Sequence, residues 1–174
     1  MQITFKKLNN SALKILNLCM HLLMWIPCFI TILFWDHLPG QIAQHFNGAG
    51  EIDIIGNKNV VIANLTINFL VYGFHFFAMY AFPYIIEPTN LFNANIINKI
   101  SGEELNKGYI IILKLVGYLN IFIILMMLYA LWHSIKCVSI GAWFVPVFLG
   151  VLVIEPFYFA WRYLKLRKEI LIKK

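Results

Sequence analysis

Apolar side chains gather in four long runs along this chain, and polar ones collect between them. The runs cover about 12–35, 60–86, 109–132 and 138–161. Each is long enough, at roughly 20 residues or more, to cross a ~30 Å hydrocarbon core as an α-helix. The pattern predicts four transmembrane helices. Trp35, Trp132, Trp143, Trp161, Tyr84 and Tyr109 fall near the predicted ends, where aromatic rings favour the membrane–water interface.

Composition moves the reading from possible spans to a membrane solvent. The 174 residues are 61% hydrophobic and 13% charged, with mean hydropathy +0.76. Soluble domains carry roughly 25% charged residues. A soluble fold of this size leaves much of its surface exposed, so it has no place for this much apolar area. The formal net charge is +6. In such a chain a basic balance bears on orientation and on contact with anionic lipid. No basic–aromatic nucleic-acid motif accompanies it, so membrane lipids are expected as partners and nucleic acid is not. Cys19, Cys28 and Cys137 fit no metal spacing and read as small apolar side chains.

Lysine and arginine orient the spans. Twelve of the 14 lie in the first 14 residues, in or beside the segment 87–108, or in the tail 162–174. Only Lys58 and Lys136 lie in the other two connections. The positive-inside rule then places both termini and the 87–108 loop in the cytoplasm, and the loop 36–59 outside. The chain is thus expected in a membrane that it crosses four times. The first run follows Lys6 and Lys7 but exceeds a signal-peptide core and lacks an A-x-A site, so it reads as an uncleaved anchor. LFNANIINKI, residues 91–100, reads as an interfacial helix or an ordinary connector. Ser101 and Glu104 form a capping box for the third helix. WRYLKLRKEILIKK reads as a helical extension meeting anionic headgroups.

Polar groups inside the spans supply a second set of candidates. Glu155 lies in VIEPFY, which echoes IIEPTN at 85–90. An ionisable group at that depth is costly and is a functional candidate or a snorkelling carboxylate. His21 and His75 are candidates for proton handling or for hydrogen-bonded structural roles. Asn17, Asn64, Asn68 and Asn120 are placed to bridge helices. The Asn64-Leu65-Thr66 triplet matches a glycosylation site but starts inside a span.

The outer loop, WDHLPGQIAQHFNGAGEIDIIGNKN, carries the densest pattern. Leu38-Pro39 fixes its entry. Gly48, Gly50 and Gly56-Asn57 supply turns. Ile42 and Phe46, four apart, suggest one face of a short helix. Asp36, His37, His45, Glu51 and Asp53 are potential metal ligands, but no HExxH-like spacing joins them, and no metal or cofactor is expected. The loop has no Ser or Cys nucleophile.

Leu38-Pro39-x-x-Ile42-x-x-His45-Phe46-Asn47-x-x-Gly50-x-x-Asp53-x-x-Gly56-x-Lys58 resembles the signature of a bacterial membrane family of unknown function. That module forms the N-terminal part of SdpI-type proteins, which confer immunity to a sporulation-delaying peptide toxin and sequester a repressor. The likeness covers about 20–80, and Ala43 stands where the family has a second proline. It implies a non-enzymatic protein whose outer loop recognises a secreted peptide toxin or an envelope signal. On that basis Asp53 pairs with Lys58 across the Gly56 turn, while His45 and Asn47 bond loop backbone. A small transporter or membrane enzyme using Glu155, His21 and His75 is the alternative, and a homodimer or a subunit of a larger assembly fits four spans. The expected fold is an all-α, four-helix membrane bundle with one ordered outer loop.

Overall fold

A computed structural model describes residues 11–81 and 102–172. The expected interfacial helix at 91–100, the IIEPTN copy of the echo, and Ser101 of the capping pair lie outside the described residues. So do Lys6 and Lys7.

Among the described residues, four helices are long and apolar enough to span a membrane. Helix α1 runs Ser11–Leu33, α2 runs Val60–Phe76 and continues as a π-helical turn at Phe77–Ala81, α3 runs Gly102–Lys136, and α4 runs Phe144–Ile172. The basic tail is part of α4 up to Ile172, a continuous helical extension.

The all-α expectation needs one correction. Between α1 and α2 the chain makes a short 3₁₀ turn at Trp35–His37 and then an antiparallel hairpin, β1 Gln41–Phe46 and β2 Ile52–Asn57. Ile42 and Phe46 therefore share a strand, not a helix. Spacing of four puts two residues on one face in either conformation, so the pair did not discriminate. Gly56 lies within β2 opposite Ile42 and makes no turn.

Helix α3 is the hub. It packs against α1, α2, α4 and β1, and its central window is the most buried of the four spans. One apolar cluster joins Leu13 and Leu16 of α1, Met79 at the end of α2, and Tyr109 and Leu113 of α3. A second, at the other end, joins Ile42 of β1, Val61 of α2 and Leu131 of α3, with Trp35 and Leu38 packed against it. Most other large apolar side chains point outward, including Phe29, Leu70, Ile154 and Phe157. That is the arrangement expected when the surrounding solvent is hydrocarbon.

The fourth helix begins at Phe144, not near 138. The reason is the way α3 ends. The Cys137 N–H donates to the Ser134 carbonyl (3.1 Å) and the Val138 N–H to the His133 carbonyl (3.1 Å). This is a Schellman cap, which requires a left-handed residue at its turning point. Cys137 takes that conformation at φ 50°. Residues 138–143 then form a turn between α3 and α4.

Glycine is the usual occupant of such a cap, because a Cβ there meets the following carbonyl. Cys137→Gly is expected to stabilise the protein by about 1 kcal/mol. The midpoint of thermal unfolding in detergent micelles checks this; a lowered midpoint would show that the cysteine side chain contributes more than its backbone costs.

Candidate functional site

The hairpin tip is built by one asparagine. The Asn47 Oδ1 accepts from the Ala49 N–H (2.9 Å) and the Glu51 N–H (3.0 Å), while its Nδ2 donates to Glu51 Oε2 (3.1 Å). The Asn47 N–H donates to the Glu51 carbonyl and the Gly50 N–H to the Asn47 carbonyl, both at 2.9 Å. A short amide side chain mimics a backbone turn in this way. At the base, the Lys58 N–H donates to the Gly40 carbonyl (3.2 Å).

The tip does not project freely. The Gly50 carbonyl accepts from the Ile140 N–H (2.9 Å) and from the Ser139 hydroxyl (2.7 Å). Both donors belong to the α3–α4 turn. Gly50 has φ +78°, and a Cβ on it would run into the backbone of Gly141. The turn is braced from below, where the Tyr129 hydroxyl donates to the Ile140 carbonyl (3.3 Å) and the Tyr129 ring lies 5.2 Å from Trp143. Ser139, Gly141 and Tyr129 were not singled out from sequence. The only local signal was a second glycine-bearing turn, SIGAW, and nothing in it announces a partner 90 residues away.

The charged residues pair differently from expectation. His45 Nδ1 lies 2.7 Å from Asp53 Oδ1, side chain to side chain across the hairpin. Lys58 turns the other way: its Nζ donates to the Trp35 carbonyl (3.0 Å) and sits 4.8 Å from the Trp35 ring centre. The expected Asp53–Lys58 pair is thus replaced by two separate contacts, and His45 bonds a carboxylate instead of backbone. The physical reason is the strand. Residues 53 and 58 are no longer joined by a tight turn, while β1 and β2 place His45 beside Asp53. Asn47 bonds loop backbone, as expected.

The remaining signature positions divide into anchors and surface. Ile42 is fully buried, and Leu38 packs beside it. Pro39 is exposed, and Phe46 is half-buried near the tip. Among the described residues no three His, Cys, Asp or Glu side chains come together as a metal-holding group. Ile54 and Ile55 of β2 are 50% and 59% exposed, an apolar surface on a strand that among the described residues is paired on one side alone.

A polar layer lies between the two apolar clusters. His75 Nε2 donates to Asn17 Oδ1 (2.9 Å), and Asn17 Nδ2 donates to the Tyr80 hydroxyl (3.2 Å). His21 Nδ1 and the Tyr72 hydroxyl share a 2.7 Å hydrogen bond. These rungs join α1 to α2. Asn64 Nδ2 reaches the Met127 carbonyl of α3 (3.5 Å), and Asn68 Nδ2 donates to Asn64 Oδ1 (3.0 Å) within α2. Among the described residues, Asn68 Oδ1, His75 Nδ1 and Asn120 Nδ2 are buried without a hydrogen-bond partner. Glu155 lies on α4, and no hydrogen bond of His21 or His75 reaches it. Among the described residues the three intramembrane candidates do not come together as a metal-holding group.

The two glycines of the tip allow a direct check of the clamp. Gly50→Ala is expected to cost about 1–3 kcal/mol, from left-handed strain and displaced contacts, and to speed proteolytic nicking within 38–59. Gly48→Ala, whose added Cβ meets nothing within 4 Å, is expected to nick and unfold like the parent. Equal behaviour of the two variants would rule out the clamp.

Comparison with known proteins gives a partial assignment. No curated protein and no solved structure matches the chain. Residues 22–70 match a family described as a domain of unknown function, DUF1648. That stretch begins in α1, takes in the whole hairpin and ends in α2, so the matched region of this multi-helix protein is the unit just described.

Proposed function

We propose that the protein is a multi-pass protein of a bacterial inner membrane, with both termini inside, whose hairpin recognises an extracytoplasmic peptide toxin or envelope signal. The carrying observation is the flank of β2 that no other strand pairs among the described residues, beside exposed Ile54 and Ile55. An extended peptide adds to such an edge through main-chain hydrogen bonds, with alternate side chains finding apolar contacts. The Gly50 clamp and the Ile42 anchor hold that edge rigid, which lowers the ordering cost of binding. The lysine and arginine distribution favours the outside for this end. The likeness of the 38–58 pattern to SdpI-type proteins favours immunity or sensing over catalysis.

The alternative is a small transporter or membrane enzyme. Its support is the polar layer, where the unpaired His75 Nδ1 and Asn68 Oδ1 offer acceptors and Asn120 Nδ2 offers a donor. In this reading His75, with His21 close by on α1, handles a proton or polar solute, and Glu155 contributes from α4.

The two readings separate in one growth assay. Cells producing the protein are challenged with conditioned medium containing secreted peptides. Ile55→Lys, His45→Ala and Asp53→Ala are expected to lose protection about ten-fold or more, as expected when 1.4 kcal/mol of binding is removed, while still inserting. Glu155→Gln and His75→Gln are expected to protect fully. Protection that survives in the hairpin variants but fails in Glu155→Gln or His75→Gln would reject recognition and select the alternative.

A further inference from the structure

At the end of the bundle away from the hairpin, α3 and α4 enclose a groove of about 590 Å³. Four cations line it: Lys107 and Lys114 from α3, Arg162 and Lys165 from α4. The spacings explain why they meet. Lys107 and Lys114 are seven apart, two turns along one face, and Arg162 and Lys165 are three apart on the facing helix. Glu169 is the one carboxylate in the lining, so the described lining carries a clear positive excess. The wall between the cations is apolar, with Ile110, Ile111, Phe159 and Leu166.

Two of the cations are held in place by aromatic neighbours. Arg162 donates to the Tyr158 hydroxyl (3.2 Å), and its guanidinium carbon lies 5.9 Å from that ring. Lys165 Nζ lies 5.8 Å from the Trp161 ring. Tyrosine and tryptophan rings sit at headgroup level in a bilayer. Rings at that level would put these cations within reach of lipid phosphates.

From this we infer that the α3–α4 groove is a binding site for one anionic phospholipid, with its phosphate among Lys114, Arg162 and Lys165 and an acyl chain along Ile111 and Phe159. Charge complementarity selects this occupant. A second copy of the chain would bring the same cations against themselves, and a zwitterionic lipid would bring an ammonium into a basic lining. Basic pockets between transmembrane helices bind phosphorylated headgroups by the same logic. Arg162 adds the planar donor fork that suits a phosphate. The site is distinct from diffuse attraction by the tail, whose Arg167 and Lys168 lie outside the groove lining.

The test uses the purified full chain in phosphatidylcholine vesicles with trace spin-labelled phosphatidylglycerol or phosphatidylcholine, read by electron paramagnetic resonance. The parent is expected to prefer the anionic probe by about five-fold or more, as one well-placed interfacial cation would give. Lys114→Gln/Arg162→Gln is expected to lose that preference. Arg167→Gln/Lys168→Gln removes the same charge and is expected to keep it, as is Lys114→Arg. The single change Lys165→Gln, at the groove rim, repeats the test with less disturbance to packing and is expected to weaken the preference. Equal losses in the two double variants would show diffuse electrostatics and overturn the site. So would the absence of any preference in the parent, or disulfide formation between copies of Ile111→Cys, which would assign the groove to a dimer contact.

Discussion

The oxygen of Gly50 accepts two hydrogen bonds from a turn almost 90 residues further along the chain, and the hairpin end of the bundle is organised around it. An isolated two-stranded hairpin is marginal in water. Here the tip is held by the Ser139 and Ile140 donors, and the middle by Ile42, buried between Val61 and Leu131. Neither support is available within the hairpin itself. The clamp also satisfies a constraint on the α3–α4 turn, because backbone groups near the hydrocarbon edge need partners and water is scarce there. Each irregular segment thus supplies what the other lacks, and a Cβ at Gly50 would separate them.

The parts of this architecture that lipid dictates were legible in sequence. Four apolar runs of spanning length were evident because nearly every side chain in them answers to one solvent. The parts dictated by specific partners were not. QIAQHF shows no clean alternation, since Ile42 and Ala43 are both buried and the strand pairing slips around Gln44. A bulge of this kind breaks the period of two on which strand recognition depends. The end of α3 was placed by hydropathy near Trp132 and the start of α4 near 138. Their true limits follow from a backbone cap at Cys137 that hydropathy does not register. Lys58 was assigned to Asp53 by proximity in sequence, but an indole ring and a carbonyl at Trp35 outcompete a carboxylate already bonded to His45. Gly50 was recognisable as a turn residue and Asn47 as a group that bonds loop backbone, but the partner of Gly50 was not.

The polar layer raises a different balance of forces. Side-chain hydrogen bonds between transmembrane helices contribute only about 0.6 kcal/mol each. The apolar clusters on either side therefore account for more of the packing than the Asn17–His75 and His21–Tyr72 rungs do. What the rungs determine is register. Shifting α1 against α2 by one turn would strand four polar groups in an apolar setting, so the pairing is penalised everywhere except here. In this layer Asn68 Oδ1, His75 Nδ1 and Asn120 Nδ2 still find no hydrogen-bond partner among the described residues. A layer that served register alone would gain from replacing them with apolar atoms, which is the physical argument for keeping a polar solute or proton in view at this depth.

Helix α3 ties the three levels together. It carries Lys107 and Lys114 in the basic groove, Asn120 in the polar layer, Leu131 under the hairpin, and the Cys137 cap from which the clamping turn departs. Yet α3 lies wholly outside the matched stretch 22–70. The hairpin's own residues define its tip and strands and seat Ile42 against Val61 within that stretch, but Leu131 and the Ser139 and Ile140 donors lie beyond it. A chain with the same 38–58 pattern and a different third helix would keep the Asn47 turn and the His45–Asp53 pair and lose the Gly50 clamp. The surface pattern of the hairpin and the clamp on its tip are therefore separable properties, because the donors that hold Gly50 lie outside the matched stretch.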